Sequence, residues 1–379
     1  MDYVMLKDVC TINMGQSPDS NSYNDNGDGV PFFQGNADFG ERYPITRKWC
    51  TAPTKMAAPN DILISVRAPI GAMNYAKESC CIGRGLATLT PDKSKVSSEF
   101  IFWLMKGKNQ ELNSKGTGST FKAIGRKVLE ETLVPNITLE KQTEYSAVLE
   151  KVYAVIQARK TELQKLDELV KARFVEMFGD CLSNPKGWKT KCLEDIAEVG
   201  SSKRVFVEEL WEEGIPFYRG TEVGALAEGK QITPELFITE QHYAELCKAT
   251  GTPRIGDLLM PSICPDGRIW LVNTDKPFYF KDGRVLWVHA IDTSYNPVFL
   301  LYTLKDRIMT DYSSIASGTT FAELKIFALK KCQVFDVPIT LQNKFAAFIK
   351  QVDKSKVVVQ KALDEAQLLF DSLMQKYFG

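Results

Sequence analysis

Basic and hydroxyl-bearing side chains that could contact a polyanion surround a loop rich in glycine, serine and threonine at 113–120. Between Lys106 and Lys127 the chain has one acid and six cations, which are Lys106, Lys108, Lys115, Lys122, Arg126 and Lys127. Hydroxyl groups such as those of Ser119 and Thr120 can donate hydrogen bonds to phosphate oxygens, and lysines such as Lys115 and Lys122 supply salt-dependent affinity. A solvated surface loop could have the same composition.

The same kind of loop returns at 313–320, where Thr319 and Thr320 occupy the positions of the earlier hydroxyls. Its recurrence at an equivalent place favours a role in binding over an ordinary surface loop. The second loop has fewer basic neighbours, namely Lys305, Arg307 and Lys325.

Side chains suited to base recognition follow two similar aromatic strands. Gln34 and Asn36 in Phe-Gln-Gly-Asn lie where the later string Tyr-Arg-Gly-Thr has Arg219 and Thr221. Gln and Asn can pair bidentately with adenine and Arg with guanine, so this change would alter the base that is read. Alternatively, these residues simply form turns beside a glycine.

Two further arginines are candidates for binding, and no residues form a convincing catalytic set. Arg67 and Arg268 lie in the loops Val-Arg-Ala-Pro and Asp-Gly-Arg-Ile. Asp61 and Asp257 correspond, but each lacks a second carboxylate at metal-ligand spacing, which favours a role at the start of a strand. Phosphate-loop and amino-methyltransferase motifs do not occur, so base chemistry would have to come from a partner.

These candidates belong to a sequence with an internal repeat: two similar copies are offset by roughly 200 residues. VPFFQG (30–35) returns as IPFYRG (215–220), and NDILISVRAPIG (60–71) returns as GDLLMPSICPDG (256–267). KGTGSTF (115–121) returns as IASGTTF (315–321). Two similar domains that differ in detail suggest one kind of task performed at two places with different specificity.

The organisation predicted from these repeats is an α+β fold with two globular domains and two long helices. Strand-like apolar runs broken by Gly and Pro fill 1–135 and 188–337, whereas 136–179 and 338–379 show heptad spacing, and 180–187 is a linker. The second seam includes Val359 and Leu369. We expect the helices to pair as an antiparallel coiled coil that separates the domains with pseudo-twofold symmetry; an amphipathic helix lying on a globular core is the alternative.

Composition fits a soluble protein without a metal or disulfide framework. The 379 residues are 44% hydrophobic and have a formal net charge of zero, so binding to nucleic acid would depend on local basic patches. Nine scattered cysteines and two histidines provide no recognisable metal site. We expect no signal peptide, no membrane span and a cytoplasmic location.

Taken together, the chain resembles the specificity subunit of type I restriction-modification systems. The resemblance rests on the ordered double occurrence of VPNITLEKQ (134–142) and VPITLQNK (337–344), the GTGSTF and SGTTF loops, the aromatic strings, and the endings MFG and YFG. It implies two target-recognition domains, each reading half of a bipartite, asymmetric DNA sequence, and two helices that separate them and dock modification subunits.

The resemblance also implies that this chain is not catalytic and holds no cofactor. Methyl transfer would lie in modification subunits that use S-adenosylmethionine, and cleavage would lie in an ATP- and Mg-dependent restriction subunit. The main alternative is a coiled-coil scaffold or adaptor whose repeated domains bind protein instead of double-stranded DNA. A nuclease or methyltransferase ranks third.

Overall fold

The computed structural model describes residues 2–118, 122–318 and 322–379, and these form two compact units. Unit 1 contains the residues up to Glu162 together with Val359–Gly379, and unit 2 contains Leu163–Val358. Each unit therefore combines one globular part with half of each of two long helices. Both units mix helix and sheet, as the sequence predicts. None of the described helices has the length and apolar character needed to cross a membrane.

Unit 1 contains eleven described strands and most of its helices are short. The strands are β1 (Tyr3–Met5), β2 (Cys10–Met14), β3 (Tyr23–Asn24), β4 (Val30–Phe33), β5 (Trp49–Cys50), β6 (Met56–Ala57), β7 (Ile62–Ser65), β8 (Met73–Tyr75), β9 (Cys80–Ile82), β10 (Leu86–Pro91) and β11 (Leu133–Pro135). The helices are α1 (Leu6–Val9), α2 (Ser98–Gly107), α3 (Asn109–Ser114) and α4 (Arg126–Glu130), and the long helix α5 (Leu139–Phe178) begins in unit 1 and ends in unit 2.

Three sheets organise unit 1. An antiparallel sheet has the order β2-β10-β7-β8, a mixed sheet has the order β3-β5-β4-β9-β6 with β4 and β9 parallel, and β1 pairs with β11. Strand β7 is buried at every position because it packs on both faces. Helix α2 begins at the N-cap Ser97, whose hydroxyl accepts from Phe100 N at 3.1 Å, and it buries Trp103 in the core.

Unit 2 repeats this plan with additional helix. Its strands are β12 (Thr190–Cys192), β13 (Glu198–Gly200), β14 (Ile215–Tyr218), β15 (Phe237–Ile238), β16 (Leu258–Pro261), β17 (Trp270–Leu271), β18 (Tyr279–Phe280), β19 (Val285–His289), β20 (Ala316–Ser317), β21 (Glu323–Leu324) and β22 (Gln333–Phe335). Its helices are α6 (Gly220–Ala227), α7 (Glu240–Thr250), α8 (Pro297–Ile315) and α9 (Ile326–Lys330), and the long helix α10 (Ile339–Phe378) begins in unit 2 and ends in unit 1.

The four-stranded antiparallel sheet of unit 2 matches that of unit 1 strand for strand. The order β13-β19-β16-β17 corresponds to β2-β10-β7-β8, and β14 pairs in parallel with β18 as β4 does with β9. The segment between β14 and β16 differs, because α6 and α7 replace short strands and turns. Helix α8 has the N-cap Asn296 followed by Pro297, a sequence well suited to starting a helix.

The two long helices, α5 and α10, each have 40 residues and so extend about 60 Å. In unit 1, Tyr145 of α5 stacks on Tyr377 of α10 with ring centroids 4.0 Å apart. In unit 2, Phe174 of α5 meets Phe345 of α10 at 5.5 Å. Gly179, at a φ of +86°, follows the last residue of α5 in the left-handed conformation that commonly ends helices.

One position of the predicted seam is wrong. Leu369 is 51% exposed, whereas its neighbour Phe370 is 7% exposed and packs against Trp103 at 5.5 Å. An α-helix drifts by about 20° per heptad relative to a strict seven-residue repeat. Because this part of α10 also packs on the globular core of unit 1, the buried face shifts by one residue.

Candidate functional site

The first candidate site is built around the antiparallel pairing of 117–118 with 122–123, which we call the first hairpin. Thr117 and Ala123 exchange two backbone hydrogen bonds of 3.0 and 2.9 Å. Ala123 also forms a β-bridge with Arg67, and Ala68 N donates to Lys122 O at 3.0 Å. The structure thus brings Arg67 and Lys122 together, and both are exposed. Ser119 and Thr120 lie outside the described residues.

Gln34 belongs to the same surface. Its carbonyl accepts from Gly85 N at 3.1 Å, and Gly85 O in turn accepts from Val66 N at 2.9 Å, next to Arg67. A Cβ on Gly85 would lie 2.4 Å from Gln34 O, so only glycine permits this approach. The Ser17 hydroxyl accepts from Gln34 Nε2 at 3.1 Å and from Arg84 N at 3.2 Å. Arg84 is therefore held beside Gln34, with its side chain exposed.

Asn36 has a more enclosed position than Gln34. It begins a short 3-10 turn, Asn36–Asp38, and is half-buried. The Asp38 carboxylate accepts from Gln34 N at 2.8 Å and fixes the turn. The turn interpretation of this string is therefore correct for its backbone, and the exposed Gln34 amide remains able to contact a ligand.

The lysines around the first hairpin differ in what they already bind. Glu111 accepts from Lys115 at 2.6 Å and lies 3.4 Å from Lys108, and the hydrogen bond from Lys115 is the main cause of a lowered pKa of Glu111. Lys106 points elsewhere: its ammonium lies 4.3 Å from the ring centre of Tyr153, and burial lowers its pKa to about 8. Lys106 therefore does not belong to the exposed basic surface.

Three cations of this surface make no such internal pair. Among the described residues of unit 1, the ion pairs do not involve Arg67, Arg84 or Lys122. Together with Gln34 they are exposed donors: Gln34 and Arg84 follow β4 and β9 of the mixed sheet, and Arg67 follows β7 of the antiparallel sheet. This arrangement can hold phosphates and the edges of bases.

Unit 2 has an equivalent antiparallel pairing of β20 with β21, which we call the second hairpin. Leu324 N donates to Ser262 O at 2.7 Å, and Ser262 N donates to Arg284 O at 2.9 Å. Glu323 pairs with Arg284 and, at 3.0 Å, with Lys325. The hydrogen bond from Lys325 is the main cause of a lowered pKa of Glu323. Thr319 and Thr320 lie outside the described part of the chain.

Arg219, at the position equivalent to Gln34, is already engaged within the protein. Its guanidinium donates to Glu222 at 2.6 Å and lies 3.1 Å from Glu235. Burial acts to raise the pKa of Glu222, but hydrogen bonds from Arg219 and from Thr221 help to outweigh it and lower that pKa to about 2. The hydrogen bond to Glu222 is the main cause of a raised pKa of Arg219, and the bond to Glu235 adds to it. Thr221 is exposed but also donates to Glu222 at 3.0 Å.

Arg268 lies apart from the second hairpin, against helix α6. Its Nε is 2.8 Å from Asp266, and its Nη1 is 3.9 Å from Glu228. A Cβ on Gly224 would lie 2.9 Å from that Nη1, which shows how closely the arginine packs on α6. Arg67 and Arg268 therefore occupy different places in the two units.

The paired aspartates have structural roles. Asp61 accepts from Ala58 N at 2.8 Å, and Asp257 accepts from Arg254 N at 2.8 Å, each before its strand. Asp257 also accepts from the indole of Trp287 at 2.9 Å. The interpretation of both as strand-start residues is confirmed. Within the described ranges, no group of His, Cys, Asp and Glu could hold a metal ion.

Arg84 and Arg284 are the site residues that the sequence analysis missed. Both lie in the connection that follows the parallel strand, β9 in unit 1 and β18 in unit 2, and both are exposed. The available signal was an arginine beside glycine directly after a buried apolar strand, present in both copies.

Comparison with known proteins agrees with this duplicated architecture. Residues 1–168 and 185–366 match the model of the type I restriction modification DNA specificity domain. A Methanocaldococcus jannaschii protein described as the MjaX type I restriction enzyme specificity subunit is 41% identical over 160 residues, which cover 42% of this chain and 38% of that protein. The MjaIX type I restriction enzyme specificity subunit of the same organism is 26% identical over 344 residues, or 83% of this chain and 76% of that one.

A solved structure extends the likeness over the entire length. The type I restriction-modification system S subunit from M. genitalium has a TM-score of 0.55 and 14% identity, and the match covers 100% of this chain and 96% of that one. At this identity the likeness concerns the fold alone.

Proposed function

The chain belongs to the type I restriction modification DNA specificity family, and from this premise we propose that it reads a bipartite, asymmetric DNA target for a type I restriction-modification complex. The observation that carries the proposal is the duplicated hairpin, docked in each unit beside a connection that presents an arginine. In this proposal, 1–135 and 188–337 each bind one half-site. The hairpins contact phosphates, and Gln34, Arg84 and their counterparts face base edges.

We further propose that α5 and α10 form an antiparallel coiled coil that separates the two readers with pseudo-twofold symmetry. Contacts inside each unit support this pairing. In unit 1, Tyr145 meets Tyr377 and Tyr153 meets Phe370, so the position along α10 falls as the position along α5 rises. In unit 2, Asp167 accepts from Lys356 at 2.5 Å. Such a pair would act as a spacer of fixed length and would dock the modification subunits.

We assign no reaction to this chain. The exposed donors of unit 1 are suited to binding. Asp61 and Asp257 instead accept hydrogen bonds from the backbone of their own turns. Methyl transfer from S-adenosylmethionine and ATP- and Mg-dependent cleavage would lie in the modification and restriction subunits. The chain itself would then need no cofactor.

A DNA-binding measurement tests the main proposal. The full chain, assembled with its modification subunit, is titrated against random duplex DNA at increasing salt, and a library selection then identifies the preferred sequence. We expect binding that weakens steeply with salt and a selected target with two separated half-sites. A protein-binding scaffold would show neither salt-dependent DNA binding nor a selected sequence.

An insertion tests the spacer. One extra heptad near Leu163, matched in α10, adds about 10 Å, close to three base pairs at roughly 3.4 Å each. We expect the gap between half-sites to widen while the half-sites stay the same. An unchanged gap in a folded, assembled variant would exclude the helices as the spacer.

A further inference from the structure

A buried glutamine ties each long helix to its globular part. Gln142, in the first turn of α5, is 1% exposed. Its Oε1 accepts from Ser97 N at 2.9 Å, and its Nε2 donates to Lys95 O at 3.1 Å and to Ile137 O at 2.9 Å. We call this set the glutamine clamp of unit 1. One side chain thereby joins the segment before α2, the exit from β11 and the start of α5.

Unit 2 has the same clamp in the same place. Gln342, in the first turn of α10, is 0% exposed. Its Oε1 accepts from Asn296 N at 2.8 Å, and its Nε2 donates to Ser294 O at 3.0 Å and to Val337 O at 2.8 Å. The two units differ where unit 1 has Gln34 and unit 2 has Arg219. At the clamp, by contrast, both units have a glutamine whose amide bonds three equivalent backbone groups.

The partners of each clamp lie at or near the starts of helices. Ser97 and Asn296 are the N-cap residues of α2 and α8, the helices that fill the globular cores. Ile137 and Val337 lie just before the long helices begin. The clamp therefore connects the core helix and the long helix of one unit directly.

Hydrogen bonds can control orientation in a way that apolar packing cannot. Burial of apolar surface is non-directional, so a leucine at this position would hold the helix without fixing its rotation. Three bonds of 2.8–3.1 Å to three backbone groups weaken steeply when their angles change. A buried amide that uses both its oxygen and its nitrogen thus restricts the angle at which α5 leaves the globular part.

We propose that Gln142 and Gln342 are positioning residues for DNA recognition: each holds a reader at a fixed angle to its long helix and so restricts the spacing between half-sites that the protein accepts. This inference rests on the proposed function. Neither glutamine needs to touch DNA. Loss of a clamp should therefore change the tolerance for spacing without changing the sequence of either half-site.

The test compares spacing with half-site preference in the full chain assembled with its modification subunit. Duplexes carry the target that the wild-type chain selects, with the native gap or with one base pair more or fewer, and a second set carries one changed base in a half-site. For Gln142→Met and Gln342→Met we expect the preference for the native gap to fall about tenfold, equivalent to about 1.4 kcal/mol. The preference for the correct bases should stay within about twofold of wild type, a change of under about 0.5 kcal/mol.

Two controls distinguish positioning from general stability. Thr143→Ala removes only a bond within α5, from Oγ1 to Leu139 O at 2.9 Å, and should leave the gap preference unchanged. Ile12→Ala empties part of the unit 1 core far along the chain from the clamp and should lower the melting temperature with the gap preference kept. If Gln142→Met does not fold, Gln342→Met provides the same measurement in unit 2.

The outcomes separate the clamp from the function on which it rests. A wild-type chain without base preference would overturn the proposed function. A wild-type chain that reads bases but accepts any gap would overturn the clamp inference while leaving base reading intact. Folded clamp variants with the wild-type gap preference, or with the same loss as Ile12→Ala, would also reject the clamp.

Discussion

At one matched position of the sequence, the two units hold the side chain in opposite states. Gln34 is exposed and bonded only lightly, through its amide to the Ser17 hydroxyl. Arg219, its counterpart, is bound to Glu222 and Glu235. In both units a carboxylate from the following turn accepts from the backbone N of this residue: Asp38 from Gln34 N and Glu222 from Arg219 N, each at 2.8 Å. Under the proposed function, Gln34 would be available to read a base, whereas Arg219 would first have to leave its internal partners.

This difference continues beyond the turn. Unit 1 follows Gln34 with a single 3-10 turn, whereas unit 2 continues into α6 and then α7. The hairpins also differ, since Lys122 forms no ion pair within the described residues whereas Glu323 neutralises Arg284 and Lys325. We infer that unit 1 contributes more electrostatic attraction and that unit 2 depends more on shape and hydrogen bonds.

The largest expected effect comes from exchanging an entire reader. Replacing 1–135 with the equivalent domain of a relative should abolish recognition of one half-site, a loss of about 10³-fold or more for the original target. The other half-site should be unchanged. The preferred sequence of the assembled complex, found by library selection, measures this. A change in both halves, or in neither, would show that the units do not read independently.

Single substitutions at the matched turn sharpen the comparison. Gln34→Ala should cost about 1–3 kcal/mol at one base pair and relax specificity there, because the amide is exposed and free to pair. Arg219→Ala should instead lower the free energy of unfolding by about 1–2 kcal/mol, because it leaves the half-buried Glu222 without its cation.

Binding to a panel of single-base variants and thermal unfolding measure the two effects. Ser17→Ala is the matched control for Gln34, since it removes the internal partner and keeps the amide. If Gln34→Ala weakened binding to every duplex equally, Gln34 would contact a phosphate and not a base.

The architecture was accessible from the sequence because duplication repeats every signal. A short sequence string such as a Gly/Ser/Thr loop is weak evidence alone, but its return at a matching position indicates the same hairpin in both units. A 40-residue heptad pattern is long enough to indicate a helix without a competing interpretation. The site was only partly accessible. The Arg219 to Glu222 ion pair depends on α6 starting at Gly220, and the sequence predicted a turn there. Likewise, Arg84 is positioned by a hydrogen bond from its backbone N to the hydroxyl of Ser17, 67 residues earlier in the chain.

The Arg219 to Glu222 pair should have a measurable dependence on pH. The pKa of Glu222 falls from 4.5 to about 2 in the folded chain, so the ionised carboxylate stabilises the native state. That contribution is complete above about pH 4.5 and is lost as the pH falls towards 2. Glu222→Gln should therefore show a smaller drop in melting temperature than wild type between pH 5 and pH 3.

Glu235→Gln is the control for this prediction, because Glu235 contacts the same arginine but its side chain is 73% exposed. Its melting temperatures should follow those of wild type, since exposed pairs contribute little. Identical pH profiles for wild type and Glu222→Gln would mean that the ion pair does not stabilise unit 2.

The smallest expected effect concerns the lysines of unit 1. Lys122 lies on the first hairpin with no ion pair among the described residues, whereas Lys115 is held by Glu111 at 2.6 Å. Both are exposed. Lys122→Ala should reduce the slope of log affinity against log salt by about one unit, equivalent to losing one phosphate contact, for every DNA sequence alike. Lys115→Ala should change the slope by less, because its charge is already partly neutralised.

Glu111→Gln then completes the comparison: by releasing Lys115 it should make the slope steeper, and this gain should vanish when Lys115 is also replaced. Equal slopes for Lys115→Ala and Lys122→Ala would show that Lys115 leaves Glu111 when DNA binds, so that the ion pair does not separate the two lysines.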